Sequence, residues 1–190
     1  MIEIPLRLPT LRGTRVQLRE WRSSDVAVIR EASQDPFIPL ITTVPSTSSE
    51  SEALAFIERQ SERLRTRAGY AFAIVDDGDV AVGHIGLFIV SGSEARASIG
   101  YWVVQSRRRR GYAVDALQAI TSWARMYDGL DRLELYVEPW NEGSWRAAEQ
   151  AGYQREGLLQ AWERVAGEPR DMFMYSQLTQ HAKEKTATHS

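Results

Sequence analysis

The chain has 190 residues, of which 43% are hydrophobic and 25% charged, and this composition predicts a single globular domain with a substantial core. It contains no cysteine and three histidines, which excludes a disulfide framework and a thiol nucleophile, and we expect no metal site. The formal net charge of -2 argues against a polyanion as the main partner, so we expect no nucleic acid.

The N-terminal segment lacks the pattern of a secretory signal, because Glu3 and two prolines stand where a positive charge and an apolar stretch are required. No apolar run reaches the length of about 18 residues that a membrane-spanning helix needs, so we expect no membrane segment. Together with the absence of cysteine, these features predict a cytoplasmic protein.

The first third of the chain is predicted to contain one strand and two helices. Apolar and polar residues alternate over 15–21, which indicates a strand, and the polar residues after it cap a short helix. Three prolines predict a loop over 35–45. Ser49 and Glu52 form a capping box for a helix that extends to about Arg67. The side chains expected on its apolar face are Leu54, Ile57, Ser61 and Leu64.

The middle of the chain is typical of an antiparallel meander followed by a helix. Three apolar strands alternate with two turns rich in Asp, Ser and Gly. In order, these predicted strands and turns cover 70–74, 76–79, 80–90, 91–93 and 95–104. A strongly periodic helix then begins after Gly111. Its expected apolar stripe consists of Val114, Leu117, Ile120, Ala124 and Tyr127.

The last part of the chain returns to a period of two. Residues 133–138 alternate between apolar and polar side chains, which predicts a strand. A helix containing Trp145 follows, and Gly152 fits the left-handed residue after a helix end. Two further strands are expected near 153–160 and 172–177.

This order of elements predicts an α/β fold built on one mixed, mostly antiparallel sheet. The central strand, helix and strand should form a parallel unit, with helices on both faces of the sheet. We expect one domain over residues 1–180. The segment 181–190 is charged and has no apolar period, and we expect it to be a flexible tail.

The segment VVQSRRRRGYAVDA, which joins the third strand of the meander to the periodic helix, has features of an anion site. A helix that starts after Gly111 presents unpaired N–H groups and the positive end of its dipole, and both bind phosphate. The unbroken row Arg107 to Arg110 adds full charges. A solvated basic turn and a nucleic-acid patch are the alternatives. The glycine patterns of P-loops and Rossmann turns are absent from the sequence.

Residues 108–113, RRRGYA, resemble the R-x-x-G-x-G/A pyrophosphate loop of the GCN5-related N-acetyltransferases (GNATs). The preceding strand and three further segments occur in the family's order, and the match extends from about Leu6 to Gln177. These segments are 18–21, 83–86 and 139–144. The pair Asn141 and Ser144 is most similar to the RimJ/RimL-like branch of ribosomal-protein N-terminal acetyltransferases. The loop differs from many members at 104–106 and at Arg109, where glycine is common.

The resemblance implies a GNAT fold with an acyl-CoA, expected to be acetyl-CoA, in a V-shaped opening between the strands of Trp102 and Leu135. Strands that part leave unpaired backbone groups, and the pantetheine amides can pair with them. Val103 and Val104 are expected to supply these groups. The cofactor-binding residues implied by the resemblance are Trp102, Val103, Val104, Arg108, Arg109, Arg110, Gly111, Tyr112, Ala113 and Asn141.

For the chemistry, the resemblance implies that Ser144 protonates the departing sulfur and that Glu163 is the general base. Glu138, at the end of a strand beside the opening, is an alternative base, and a water relay is another. Ser144 also fits a purely structural role in the first turn of a helix. Because the chain has no cysteine to form an acyl-thioester, we expect direct attack in a ternary complex.

The surroundings of the opening are predicted as well. His84 lies in an apolar strand and is expected to be structural. Trp140 and Trp162 are expected to frame the acceptor pocket. The proline-containing loop 35–48 is expected to be a lid over the acceptor, because loops of this length in a compact domain are commonly functional.

We therefore predict an acyl-CoA-dependent N-acyltransferase that acts on a primary amine, either a protein N-terminus or a small molecule. Its oligomeric state is expected to be a monomer or a homodimer. Two alternatives come from other classes of protein. One is a non-catalytic module that binds or senses acyl-CoA, and the other is a nucleic-acid-binding protein that uses the arginines of 107–110.

Overall fold

The structure, a computed structural model, describes residues 7–90, 95–127 and 129–179. The strands are Leu11–Arg12 (β1), Gln17–Arg19 (β2), Gly69–Val75 (β3), Ala81–Ile89 (β4), Arg96–Val103 (β5), Arg132–Val137 (β6), Gln154–Val165 (β7) and Glu168–Leu178 (β8). The helices are Val26–Ser33 (α1), Ile38–Ile41 (α2), Glu50–Arg65 (α3), Tyr112–Ala124 (α4) and Glu142–Gln150 (α5). Within these described ranges the strands form one eight-stranded sheet in the order β1-β2-β3-β4-β5-β6-β8-β7.

The observed topology confirms the predicted fold class. Every neighbouring pair of strands is antiparallel except β5 and β6, which are parallel and are joined through α4. Two short elements, β1 and α2, were not predicted, because two to four residues are too few to establish a period. The predicted turn at 91–93 and the tail 181–190 lie outside the described residues. The domain boundary at residue 180 stays a prediction.

Apolar side chains on the two faces of the sheet pack against different helices. Alternation along β5 places Ile99 and Val103 in the core cluster under α4 and α5. Trp102 and Val104 lie in the opposite cluster, which α1 and α3 cover. β5 therefore contributes to both halves of the core, and its position is determined from both sides.

The prediction for the buried face of α3 was wrong in part. Ser49 caps this helix as predicted, since its hydroxyl accepts a hydrogen bond from the Glu52 N–H at 3.3 Å. Leu54, however, is 40% exposed. The buried positions are Ala53, Phe56, Ile57 and Gln60. The aromatic ring of Phe56 packs against Trp21, so aromatic packing rather than the leucines sets the rotation of the helix.

The two parallel strands separate after three pairs of residues. Arg96, Ala97 and Ser98 pair with Arg132, Leu133 and Glu134. Beyond Ser98, β5 pairs only with β4, and β6 pairs only with β8, in the part of the chain that the structure describes. This is the V-shaped opening that the family resemblance implies.

A buried ionic cluster lies at the vertex of the opening. The fully buried carboxylate of Glu134 accepts two hydrogen bonds from Arg96, both at 2.8 Å, one from Arg132 at 2.7 Å, and one from the Tyr136 hydroxyl at 2.7 Å. Burial alone would raise the pKa of Glu134, but these donors hold it below its usual value. Arg96 and Arg132 are cross-strand partners, so Glu134 neutralises two like charges where the strands begin to part.

Candidate active site

A cavity of about 670 Å³ extends from the end of β5, beyond its last pair with β6, to the first turns of α4 and α5. The large volume is within the range of small-molecule sites. Most of the predicted cofactor-binding residues line it. They are Trp102, Val103, Arg108, Arg109, Gly111, Tyr112, Ala113 and Asn141. Val104 and Arg110 are not among its lining residues.

The loop before α4 has the geometry of an anion site. Gly111 caps the helix in the left-handed region, with a φ of 78°, and Arg109 has a φ of 62°. The first bond of the helix runs from the Asp115 N–H to the Gly111 carbonyl at 3.1 Å, so the N–H groups of the preceding turn remain available. These groups and the helix dipole fit a diphosphate.

Asp115 fixes the position of this helix end. Its buried carboxylate accepts hydrogen bonds from the backbone N–H groups of Thr14, Arg15 and Val16 at 3.0, 2.7 and 2.9 Å. Burial would raise the pKa of Asp115, and the N–H donors lower it below its usual value. The N-terminal segment is thereby attached to the same turn of α4 that presents its N–H groups to the cavity.

The four consecutive arginines have different environments. Arg108 donates to the Val103 carbonyl at 2.9 Å and to Asp35 at 2.6 Å, and Arg107 donates to Asp76 at 3.3 Å. Arg109 and Arg110 are exposed and have no side-chain hydrogen bond or ion pair within the described ranges. Two of the four charges that a nucleic-acid patch would use are therefore paired with carboxylates.

The backbone groups that face the opening differ from those predicted. The Val104 N–H donates to the Val82 carbonyl at 3.0 Å, and the Val104 carbonyl accepts from the Arg107 N–H at 3.0 Å, so Val104 offers neither group. Hydrogen-bonding direction alternates along a strand. The backbone groups of Trp102 therefore point toward β4, and those of Tyr101 and Val103 point toward the opening. The backbone groups that were expected to come from Val104 are therefore those of Tyr101.

Ser144 and Tyr101 form a polar contact across the opening. The Ser144 hydroxyl donates to the Tyr101 oxygen at 2.9 Å, and the Tyr101 hydroxyl donates to the Ser144 carbonyl at 2.8 Å. Asn141 caps α5 and accepts the Ser144 N–H at 3.2 Å. Burial raises the pKa of Tyr101 to about 12, so its phenol stays protonated near neutral pH. Ser144 lies in the first turn of α5, as the structural alternative for this residue predicted, and the side chain of Asn141 caps the helix.

A second cavity, of about 300 Å³, lies on the other side of this contact. The two cavities share five lining residues, which places the Tyr101 and Ser144 contact where they meet. These are Ile41, Tyr101, Trp102, Asn141 and Ser144. Glu163 of β7 and Glu138 both line the smaller cavity. Glu138 is buried and accepts the Trp140 indole N–H at 2.8 Å, whereas Glu163 is exposed at its rim.

His84 is surrounded by aromatic rings, as expected for a structural residue. Its ring centroid lies 6.0 Å from those of Trp21 and Trp102, which are 6.2 Å from each other, so the three rings form a triangular cluster. Its Nδ1 accepts the Trp21 indole N–H at 3.3 Å. Burial, with a smaller contribution from Arg63, lowers the pKa of His84 to about 3. The imidazole is therefore neutral, and it forms part of the wall of the smaller cavity.

The loop predicted to cover the acceptor reaches both cavities. Phe37 lines the larger cavity and its ring lies 4.5 Å from the ring of Trp140 between centroids. Thr42 and Thr43 line the smaller cavity. Trp162 stacks on Tyr136 at 5.5 Å and is not itself a lining residue of either cavity.

Several lining residues were not identified from the sequence. Tyr101 could have been identified from the alternation along β5, because it lies two residues before Val103 and shares its direction. The smaller cavity also contains Gln60 and Arg63 of α3 and Phe88 of β4. No motif marks these three residues, since only tertiary packing brings α3 over this end of the sheet.

Comparisons with known proteins agree with this geometry. A family model described as an acetyltransferase (GNAT) domain matches residues 15–154. The uncharacterized N-acetyltransferase p20 of Bacillus licheniformis is 27% identical over 172 residues, covering 90% of this chain and 97% of that protein. RimJ of Mycobacterium smegmatis, solved with CoA-disulfide, is 25% identical with a TM-score of 0.78, covering 97% of each chain. RimL in complex with coenzyme A is 20% identical with a TM-score of 0.70, covering 96% of this chain and 99% of that one.

The chain belongs to the GNAT acetyltransferase family. It is an acyl-CoA-dependent N-acetyltransferase, as the resemblance predicted, and its structural neighbours include RimJ and RimL enzymes. Among the described residues, no group of three or more His, Asp or Glu side chains is arranged to hold a metal ion. None of the helices in the described ranges is long and apolar enough to cross a membrane.

Proposed function

We propose that the protein transfers an acetyl group from acetyl-CoA to a primary amine by direct attack in a ternary complex. The observation that carries this proposal is the meeting of two cavities at the Tyr101 and Ser144 contact. The larger cavity contains the anion loop and fits the donor. The smaller cavity contains the carboxylates Glu138 and Glu163 and fits a cationic amine.

The donor would be held mainly by backbone groups. The N–H groups at the start of α4 and the side chain of Arg109 would bind the diphosphate. The backbone groups of Tyr101 and the Val103 N–H would pair with the pantetheine amides as a neighbouring strand does, whereas the Val103 carbonyl already accepts a hydrogen bond from Arg108. Trp102 and Asn141 line the cavity between these two points. Arg108 contributes differently from the prediction, because its ion pair with Asp35 attaches the lid loop to the anion loop.

In the chemical step two protons leave the ammonium nitrogen and one reaches the sulfur. Glu163 would take the first proton, and the free amine would form the C–N bond as the C–S bond breaks. The Ser144 hydroxyl would turn its O–H from the Tyr101 oxygen to the leaving thiolate and pass on the second proton, which the nitrogen loses as the amide forms. Because a thiol of pKa about 8.5 is a good leaving group, alignment contributes more than acid catalysis. Tyr101 orients the hydroxyl through its hydrogen bond.

The identity of the base is tested by a matched pair of substitutions. We expect Glu163→Gln to lower kcat/KM most at pH values where the amine is protonated, because the base is lost. Glu138→Gln is the comparison, since Glu138 lines the same cavity but already accepts a hydrogen bond from Trp140. A larger loss with Glu138→Gln would assign the base to Glu138, and equal small losses would favour a water relay.

The proposed activity itself is tested by titration calorimetry with acetyl-CoA, followed by a thiol-release assay with peptide N-termini, polyamines and amino acids. We expect binding and thiol release with at least one of these amines. Binding without turnover would favour a sensing module, and salt-dependent binding of DNA or RNA would favour the nucleic-acid alternative. Acetyl rather than a longer acyl group, a cytoplasmic location and a monomeric or homodimeric state are further predictions.

A further inference from the structure

The smaller cavity has an uneven distribution of charge. Glu138 and Glu163 lie on the side of β6 and β7, and Arg63 of α3 lies on the side of β4. Among the described lining residues Arg63 is the one cation, because burial keeps the imidazole of His84 neutral. An occupant with a single positive charge would meet the carboxylates and leave Arg63 without a counter-ion.

Arg63 is held in place without an acidic partner. Its Nε donates to the Gln60 side-chain oxygen at 3.2 Å, and its guanidinium lies over the ring of Phe88 at 4.9 Å from the centroid. It makes no ion pair with a carboxylate in the described ranges. Burial and the neighbouring Arg59 lower the pKa of Arg63, which is the effect of a cation that is partly removed from water without compensation.

The unused part of the guanidinium is suited to an anion. The contacts with Gln60 and Phe88 use Nε and one face, so the two terminal nitrogens have no protein acceptor in the described part of the chain. Two parallel N–H donors match a carboxylate or a phosphate. Because the side chain is already held by two contacts, less conformational entropy is lost when an anion binds.

The sheet places the two ends of the smaller cavity on different faces. Phe88, under Arg63, pairs with Ser98 in β5 and lies on the face of Trp102, which α3 covers. Tyr101 lies three residues further along β5, on the face of α4 and α5. The separation along the strand is on the order of 10 Å, and the path between the two faces also passes through the opening. Because Arg63 and Ser144 line one cavity, an amine at Ser144 and an anion at Arg63 can belong to one extended molecule.

We propose that Arg63 recognises the acceptor, and that the acceptor is a primary amine that carries a carboxylate or phosphate elsewhere in the same molecule. The amine lies toward Glu163, and the anion pairs with the guanidinium. This inference rests on the proposed function for its assignment of the smaller cavity to the acceptor. It adds the substrate class, which neither the fold nor the anion loop determines.

The test uses tripeptide amides that differ only at the second position, Ser-Glu-Ala, Ser-Gln-Ala and Ser-Lys-Ala, and a second arm with an aminoalkyl phosphate and the matching amino alcohol. Turnover is measured by thiol release, and binding is measured by calorimetry in the presence of CoA. We expect the acidic member of each set to have a KM lower by about tenfold or more, as for a charged hydrogen-bonded pair. A larger preference among the peptides would identify the anion as a carboxylate, and a larger preference for the aminoalkyl phosphate would identify it as a phosphate.

Substitutions connect the preference to Arg63. Arg63→Gln should remove the preference for the acidic acceptor, so that Ser-Glu-Ala and Ser-Gln-Ala have similar KM values, and Arg63→Glu should transfer the preference to Ser-Lys-Ala. Arg65→Gln is the control, because Arg65 is on the same helix, is 68% exposed and pairs with Glu62 outside the cavity. No preference in the wild-type protein, or the same preference after Arg63→Gln, would overturn the inference. If no amine releases thiol while acidic peptides still bind through Arg63, the proposed function fails and the anion site stands.

Discussion

At the meeting point of the two cavities, two single residues link β5 to α5. Tyr101 comes from β5 and Ser144 from α5, and their two hydrogen bonds join the two sides of the opening. The phenol can both donate and accept because it remains protonated. The serine hydroxyl is therefore directed by a neighbour that does not change its charge near neutral pH.

Ser144→Ala is expected to lower kcat by about tenfold to a hundredfold while KM for acetyl-CoA changes little. The lower end of the usual range for acid catalysis applies, because the thiolate leaves readily without help. Steady-state kinetics with the best amine of the panel measures the effect. Asn141 still caps α5 in this variant, so unchanged thermal stability is the control. A normal kcat would show that the hydroxyl has no part in the reaction.

His84→Gln is expected to change how stability depends on pH. The unfolded histidine has a pKa near 6.5 and the folded one about 3, so between these values only the unfolded chain binds the proton. Stability of the wild-type protein should fall as the pH decreases through this window, with a slope of up to about 1.4 kcal/mol per pH unit. Glutamine retains an acceptor for Trp21 and does not titrate in this range.

Denaturant unfolding at a series of pH values measures this slope for both proteins. Asp115 and Glu134, whose pKa values are lowered, lose their stabilising effect as the pH falls toward and below their usual values near 4. Both groups are present in both proteins, so their effect cancels in the difference. Parallel curves between pH 6.5 and 4 would contradict the assignment of this slope to His84.

At the scale of elements, the anion loop depends on the contacts of α4 with three other segments. Asp115 attaches the helix to residues 14–16, and Arg108 attaches the loop to Asp35 of the lid and to the Val103 carbonyl. These contacts explain why the neighbouring arginines are not equivalent. Arg108 joins the anion loop to the lid loop, whereas the side chain of Arg109 is available to bind a ligand.

Arg109→Glu and Arg110→Glu form a matched pair that tests this difference. Both substitutions reverse an exposed charge in the same loop, but only Arg109 lines the cavity. We expect Arg109→Glu to weaken CoA binding by about tenfold or more, since attraction to phosphate becomes repulsion, and Arg110→Glu to have a clearly smaller effect. Calorimetry with CoA measures both affinities. Equal losses would mean that the phosphates extend along the whole row.

At the scale of the whole molecule, the opening depends on the vertex where β5 and β6 part. Here β5 is bound along its length to β4, and β6 is bound to β8. The Glu134 cluster lies at the last pair, so buried charge neutralisation and the start of the opening coincide.

Glu134→Gln is expected to lower the free energy of unfolding by about 3 kcal/mol, because Arg96 loses its carboxylate partner and Arg132 loses the buried one of its two. Glu156→Gln is the matched control. Glu156 also accepts from Arg132, but its side chain is 43% exposed, so a loss of about 1 kcal/mol or less is expected. Chemical denaturation measures both variants. Similar losses for the two would show that the vertex is not the point on which the opening depends.

Local patterns in the sequence account for most of the elements. The period of α4, the cap at Ser49 and the left-handed Gly152, with a φ of 92°, were predicted because each depends on residues close together in the chain. The rotation of α3 was predicted incorrectly, because the packing of Phe56 against Trp21 outweighs the apolar pattern of the helix alone.

The residues of the candidate site also fall into two groups, those predicted from local motifs and those whose contacts depend on the tertiary structure. Residues 108–113 and the pair Asn141 and Ser144 lie in short motifs, and the structure places most of them around one cavity. Val104 does not offer the expected backbone groups, since the direction of a strand's hydrogen bonds depends on which neighbour it has. The sequence indicates that the hydrogen-bonding direction alternates along β5. It does not indicate which residues direct their backbone groups toward β4 and which toward the opening.

The sequence by itself determined the class of fold, the family and the position of the anion loop, because periodicity, capping and a six-residue motif are local properties. Only the tertiary structure decided that Tyr101 bonds to Ser144, 43 residues away, and that Arg63 lines the same cavity as Glu138 and Glu163. These contacts join residues far apart in the chain. Their geometry depends on how helices pack on the sheet and on where two strands stop pairing, and neither is encoded in any single segment.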